Sequence, residues 1–334
     1  MDTGGGTLDT RTRVQSWIAL GIVYVVWGST YLAIRVGVGH LPPLLLAGIR
    51  YVIAGTLLYP IARRTAAGGG GAPDGGSTNV RGRLGARAWL APAVVGVLLL
   101  FGGNGGVSVA ETTLPSGVAA VLVATVPLWM IVFAWPVEQQ RVTVRSAAGL
   151  AVGLGGVAIL VGGGLAGGRL SGVFIAIGAS AAWGFGSVLS HRLPMPANAM
   201  LAAAIEMLAG GVVLLAVAAA TGEFGRAQWA TVPATSWIAL AYLIGPGSIL
   251  AFTAYGYALS HLPVSTVSTY AYVNPVVAVL AGIAFLGEQF SWREGAGAGL
   301  VVASVVITLN RPGRPPAVAD DAAKPLSEVG PPRR

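Results

Sequence analysis

Polar residues are scarce along this chain, and where they occur they separate ten apolar stretches of roughly helix-spanning length. A bilayer core about 30 Å thick takes about 20 helical residues to cross. Each stretch therefore predicts a membrane-spanning helix: 16–36, 42–62, 88–110, 115–137, 145–164, 170–190, 197–220, 236–259, 264–286 and 293–309. In lipid only helices and closed barrels satisfy their own backbone. These runs are continuous rather than alternating, so they read as helices. The expected fold is an all-α polytopic membrane protein.

Charge placement orients the helices. Cytoplasmic loops of membrane proteins carry the excess of Lys and Arg. With the N-terminus inside, fifteen of the twenty Lys and Arg fall on inside loops and tails, and three (Arg169, Arg226, Arg293) fall outside. Arg35 and Arg50 lie within spans. Losing one helix would flip every later loop, so the bias predicts ten spans with both termini cytoplasmic.

Composition removes several classes of function. Only 10% of the 334 residues are charged and 54% are hydrophobic, against roughly 25% charged in a soluble domain; mean hydropathy is +0.74. Cysteine is absent and the three histidines (His40, His191, His261) are scattered, which leaves no thiolate chemistry and no histidine metal cage. The net charge of +8 comes from arginines beside apolar helices, not from one basic face, so nucleic acid is not an expected partner. No cleavable leader is expected, because the first apolar stretch lacks a small-residue cleavage pattern. Residues 1–15 read as a cytoplasmic tail, 65–80 as a flexible Gly-rich linker, and 310–334 as a disordered cytoplasmic tail.

An internal repeat organises the rest. Trp27-Gly28 recurs as Trp183-Gly184, and the same offset of 156 carries Arg50 to Glu206. Beyond the linker the offset becomes 148: Trp89 maps to Trp237, Leu114-Pro115 to Leu262-Pro263, Pro127 to Pro275, Arg145 to Arg293 and Gly149 to Gly297. The halves are 16–164 and 170–309. Each has an odd number of spans, so the second must sit upside down. The expectation is two inverted five-helix repeats, an architecture of secondary transporters whose substrate site lies near the midplane.

The segments WGSTYLAIRVGVGHLPPLLLAGIRYVIAGTLL (27–58) and ALSHLPVSTVSTYAYVNPVVAVLAGIAFLGEQFSWREGAGAGLVVASVVI (258–307) resemble the opening of one EamA domain and the close of a second. With the ten spans, the chain resembles the EamA branch of the drug/metabolite transporter superfamily. The resemblance implies a transporter of amino acids, metabolites or drug-like solutes, and an Arg at position 50 fits its pattern; the high Gly, Ala and Arg-over-Lys content suggests a GC-rich bacterial source, so the expected membrane is the plasma membrane. A carboxylate at Glu206 is less expected.

Candidate functional residues are polar or aromatic groups deep in the spans. Arg50 and Glu206 lie near mid-depth, where an ionisable group costs roughly 2.5–3.5 kcal/mol on insertion scales. Two readings stand open: a salt bridge across the repeat interface, or a proton-coupling role for Glu206. Helix breakers occur at Gly102-Gly103-Asn104-Gly105-Gly106, at Gly245-Pro246-Gly247 and at Pro127 and Pro275, as hinges or as polar ligands. Around them, Trp27, Ser29, Thr30, Tyr31, Asn104, Trp183, Ser187, Tyr270, Tyr272 and Asn274 are candidates to line a cavity for a small-molecule substrate. Glu111, Glu138 and Glu288 fall at span ends and are expected to cap or be solvated there. Gly149/Gly153 and Gly295/Gly299 make spacings that favour close helix packing.

The function expected is secondary transport by alternating access, with lipids, a solute and a coupling proton as partners and no cofactor or metal. No GxxxxGK[ST] motif occurs, so ATP hydrolysis is not the driver. A facilitative uniporter, an exchanger or a channel is the alternative. A membrane-embedded enzyme would need clustered His, Asp or Cys at depth, and the chain has one Arg and one Glu there.

Overall fold

The structure, a computed structural model, describes residues 10–68, 86–138, 143–162, 168–262, 264–267, 269–289 and 291–309. Helix occupies all ten predicted stretches, and no strand occurs among the described residues. The first is α1 (Thr10–Val38). It ends before Gly39, and Pro43 then opens α2 (Pro43–Gly68), where a fixed φ and a missing N–H cost nothing. α2 continues to Gly68, so the start of the expected linker is helical; the remainder of that linker and both expected tails lie outside the described residues, save Thr10–Gln15, which are already helical.

The third stretch is α3 (Ala86–Gly96), a π-helical segment π1 (Val97–Gly105) and α4 (Gly106–Ala110). The fourth is α5 (Ser116–Val123) and α6 (Val126–Glu138), broken at Ala124-Thr125 just before Pro127. α7 (Val144–Gly162), α8 (Gly168–Ser190) and α9 (Ala199–Ala220) follow. Asn198 caps α9 by accepting from the Leu201 N–H at 3.0 Å, an ordinary N-cap contact. After Gly222, at φ 74°, comes the short α10 (Glu223–Arg226). The eighth stretch is α11 (Ala234–Ile244), π2 (Gly245–Leu250) and α12 (Ala251–His261). The ninth is α13 (Val264–Val267) and α14 (Tyr270–Leu286), and the last is α15 (Trp292–Leu309).

Among the described residues, seven helices are long and apolar enough to cross a membrane. The apolar parts of α7 and α14 are shorter, Ala147–Ile159 and Val273–Leu286, and α15 opens with Arg293 and Glu294. The glycine-rich breakers did not break their helices. They widen them into π1 and π2, which begin at Val97 and Gly245, 148 residues apart. In lipid an open backbone has no water to bond to, so a wider helix is cheaper than a gap. Pro275 likewise sits inside a continuous α14.

Small residues set the closest helix approaches, and they do so in reciprocal pairs. A Cβ on Gly55 of α2 would meet Leu208 of α9, and one on Gly211 of α9 would meet Val52 of α2; 52 and 55 become 208 and 211 at the offset of 156. Between α7 and α15, Gly153 faces Ser304 and Gly156 faces Val301, the same exchange at 148. Gly28 of α1 packs on Val277 of α14, and Gly184 of α8 packs on Trp129 of α6. Of the expected small-residue spacings, Gly153 is used, whereas Gly299 has nothing within 4 Å.

Candidate functional site

Arg50 organises one cluster. Its side chain is 4% exposed, and its Nε donates to Ser248 Oγ at 2.9 Å. One terminal nitrogen donates to the Gly247 carbonyl at 3.4 Å. Ser248 in turn donates to the Leu243 carbonyl, five residues back, at 2.9 Å. The π turn thus supplies both a hydroxyl and a carbonyl to a cation that makes no ion pair among the described residues. The guanidinium also lies over the Tyr51 ring, 4.6 Å from its centroid. Thr30 reaches the same place, its methyl 3.2 Å from where a Gly247 Cβ would stand, and its hydroxyl donates to the Trp27 carbonyl at 2.6 Å.

An aromatic wall stands beside it. Trp27 packs against Phe252, Tyr255 and Tyr270 with ring centroids 5.1–5.3 Å apart. One turn along α14 from Tyr270, Asn274 is buried, and its Oδ1 has no hydrogen-bond partner. The Tyr51 hydroxyl is also buried without a partner. Ser29 and the Tyr242 hydroxyl share a 2.6 Å hydrogen bond, and Tyr31 packs among Val107, Ala179 and Leu243 on the same side of α1 as Tyr242.

Trp27, Ser29, Thr30, Tyr31, Arg50, Tyr270 and Asn274 therefore gather around α1, α2, π2, α12 and α14. The side chain of Tyr272 lies outside the described residues. The other candidates sit around α8, α9 and π1. Trp183 lies against Gly103, and Ser187 donates to the Trp183 carbonyl at 2.8 Å. Asn104 gives its carbonyl to Ser108. Glu206 presses its backbone on Gly96, whose Cβ would lie 2.5 Å from the Glu206 Cα.

Among the described residues no ion pair joins Arg50 to Glu206, so of the two open readings the salt bridge is not formed in this structure. The α2–α9 contact runs through Gly55 and Gly211, and this packing turns Arg50 toward π2. Sequence reasoning also missed Ser248, Tyr51, Phe252 and Tyr255. The only hint was that Ser248 and the Gly245-Pro246-Gly247 breaker share a span.

Span-end carboxylates behave in two ways. Glu223 Oε2 accepts the Leu45 N–H at 2.8 Å, capping the start of α2. Glu288 accepts from the Ser116 N–H at 2.8 Å, the Ser116 hydroxyl at 2.9 Å and the Gly117 N–H at 3.4 Å, capping the start of α5. Each cap comes from a distant segment, and each places negative charge at a positive helix end. Gly282 makes the second possible, since a Cβ there would run into the Glu288 carboxylate. Charge-assisted hydrogen bonds are worth about 1.5–3 kcal/mol, so Glu288→Gln is expected to lower the melting point in detergent, and Gly282→Ala to lower it further. Equal melting of all three chains would refute the cap. Glu111 departs from the expectation of a solvated span end: it is 0% exposed. The side chain of Glu138 is outside the described residues.

A bundle of apolar helices with a buried arginine and unpartnered polar groups defines a polytopic membrane protein with an internal polar site. The comparisons take this to a family. The model of the EamA-like transporter family matches twice, over residues 15–162 and 170–310, and the chain belongs to that family. It is 40% identical over 296 residues to YedA of Escherichia coli (strain K12), named an uncharacterized inner membrane transporter, covering 86% of this chain and 89% of that one. It is 25% identical to a probable amino-acid metabolite efflux pump of Salmonella typhimurium, covering 89% of this chain and 95% of that one. To a probable terminal-alkyne amino-acid exporter of Streptantibioticus cattleyicolor it is 27% identical, covering 88% and 92%. One solved structure shares the fold at TM-score 0.58 and 20% identity, over 90% of this chain and 97% of that one.

Proposed function

We propose that this chain is a secondary transporter of small amino-acid-like solutes in the plasma membrane, with both termini cytoplasmic. It works by alternating access between two inverted five-helix repeats and carries out no enzymatic step. The observation that carries the reading is reciprocity of contact: Gly55 with Leu208 and Gly211 with Val52, then Gly153 with Ser304 and Gly156 with Val301. Contacts in which i meets j′ and j meets i′ are the signature of a two-fold axis. For repeats with an odd number of spans, that axis lies in the membrane plane. Two arrangements related by it expose one central site to opposite sides.

The cluster around Arg50 supports an amino-acid-like solute. Arg50 and the Tyr51 hydroxyl offer donors to a carboxylate, Asn274 Oδ1 offers an acceptor to an ammonium, and the Trp27–Phe252–Tyr255–Tyr270 wall suits an apolar side chain. The names of the Salmonella and Streptantibioticus relatives point to the same class.

The test is flux into proteoliposomes, screening pooled amino acids and small metabolites with and without a pH gradient, each hit repeated in Glu206→Gln. Accumulation that needs the gradient and is lost in Glu206→Gln is the expected result, with Glu206 as a coupling group. Flux that ignores both would make the protein a uniporter or exchanger, and flux that never saturates would make it a channel.

A further inference from the structure

One end of the bundle holds a carboxyl with nothing to bond to. Glu111 follows α4 directly, is fully buried, and neither of its carboxylate oxygens has a hydrogen-bond partner. Arg35, in the last turn of α1, donates to the backbone carbonyl of Glu111 instead. No ion pair joins the guanidinium to the carboxylate, although the two residues touch. The titratable and charged groups near enough to act on this carboxyl are Tyr31 and Arg35 from α1, Arg50 from α2, and Glu288 from the turn after α14. The same end is closed by the Glu288 cap on Ser116 and Gly117.

An ionised carboxylate with no donor is far costlier to bury than a neutral acid. Burial pushes the Glu111 carboxyl well above the usual carboxylate range, and Arg35 opposes this only in part. A metal ion does not suit the position: two guanidiniums act on it, and no group of three or more His, Cys, Asp or Glu that could hold one occurs among the described residues. The cation that fits is a proton.

We propose that Glu111 is a proton-binding site of the transport cycle, protonated while this end is packed shut and ionised when α1 and α4 part. On opening, the O–H bond breaks, the proton leaves to water, and the carboxylate pairs with the freed Arg35 guanidinium; closing reverses each step. The site rests on the transporter reading and adds a second titrating group to it, distinct from Glu206.

The chain has no cysteine, so single thiols can report on this end in the full-length protein. Leu114→Cys places a thiol at a position that is 0% exposed, and Thr112→Cys places one at an exposed position. The Thr112→Cys rate corrects for ionisation of the thiol itself. The ratio of maleimide labelling at Leu114→Cys to that at Thr112→Cys, in liposomes, is expected to rise severalfold as pH is raised from the acidic to the alkaline side. It should stay flat in Glu111→Gln and rise again in Glu111→Asp. A ratio that is flat without the Glu111 substitution, or that rises equally in Glu111→Gln, overturns the site.

Stability gives a second readout. A carboxyl raised in the folded state contributes fully below its unfolded value, and that contribution is lost as pH rises through the folded value. Melting temperature should therefore fall as pH rises from about 5, with a shallower slope in Glu111→Gln. For a solute found in the flux screen, Glu111→Gln should lose gradient-driven accumulation but keep solute counterflow; retention of both refutes the proposal. If no solute is carried, the transporter reading fails, while the thiol ratio still decides on Glu111.

Discussion

Gly96→Ala is expected to be among the most damaging single-methyl changes in this protein. A Cβ at position 96 would stand 2.5 Å from the Glu206 Cα and 2.8 Å from its carbonyl carbon. Backbone cannot swing aside as a side chain can, so α3 and α9 would have to separate. Overpacking typically costs about 1–3 kcal/mol, and a clash with backbone belongs at or beyond the upper end. Alanine's helix preference returns only about 1 kcal/mol, so the loss wins. Gly21→Ala and Gly178→Ala are the controls: both lie inside helices with nothing within 4 Å of the added carbon, and each should melt at or slightly above the parent temperature. Thermal unfolding in detergent, followed by tryptophan fluorescence, separates the three. A Gly96→Ala protein as stable as its controls would mean that α3 and α9 are not packed as described.

Arg50→Met is expected to move stability and transport in opposite directions. Among the described residues the buried guanidinium makes no ion pair and is held by a hydroxyl, a carbonyl and an aromatic face. Desolvating a charge costs several kcal/mol, and two hydrogen bonds at about 1.5–3 kcal/mol each do no more than offset it. Removing charge and donors together should leave melting unchanged or raised. Transport of whichever solute the screen identifies should fall by at least an order of magnitude, as when a substrate's charged partner is removed (about 2–5 kcal/mol). Arg50→Lys should be similarly inactive, since an ammonium cannot reproduce the planar fork. If Arg50→Met unfolds readily and the surviving fraction transports normally, Arg50 is a structural clamp and not a binding group.

Much of the architecture could be read before any coordinates. The apolar stretches marked where helix would form, because lipid leaves the backbone no alternative. The offsets 156 and 148, taken from Trp27, Arg50, Pro127 and Gly149, are the offsets by which the glycine contacts exchange. Arg50 was recognisable from its depth alone. What could not be read was direction. Two positions matched by the repeat, Arg50 and Glu206, need not face each other, and Gly55 and Gly211 turn them apart. Glu111 looked solvated because a linear reading sees only the end of its own span, while Arg35 and Tyr31, which enclose it, belong to α1. The glycine runs looked like breaks because propensity says so; a π turn, with Ser248 bonded back to Leu243, keeps the helix closed.

The Glu288 cap carries a consequence for biogenesis. The carboxylate and the Ser116 N–H it binds are 172 residues apart. At about 5–20 residues per second, roughly ten to thirty seconds of synthesis separate the start of α5 from the residue that completes it. The Leu45 N–H waits comparably for Glu223, 178 residues later. The nascent first half therefore leaves the ribosome with two helix ends unfinished, and both are completed only by the second half, so the first half alone is not a finished folding unit.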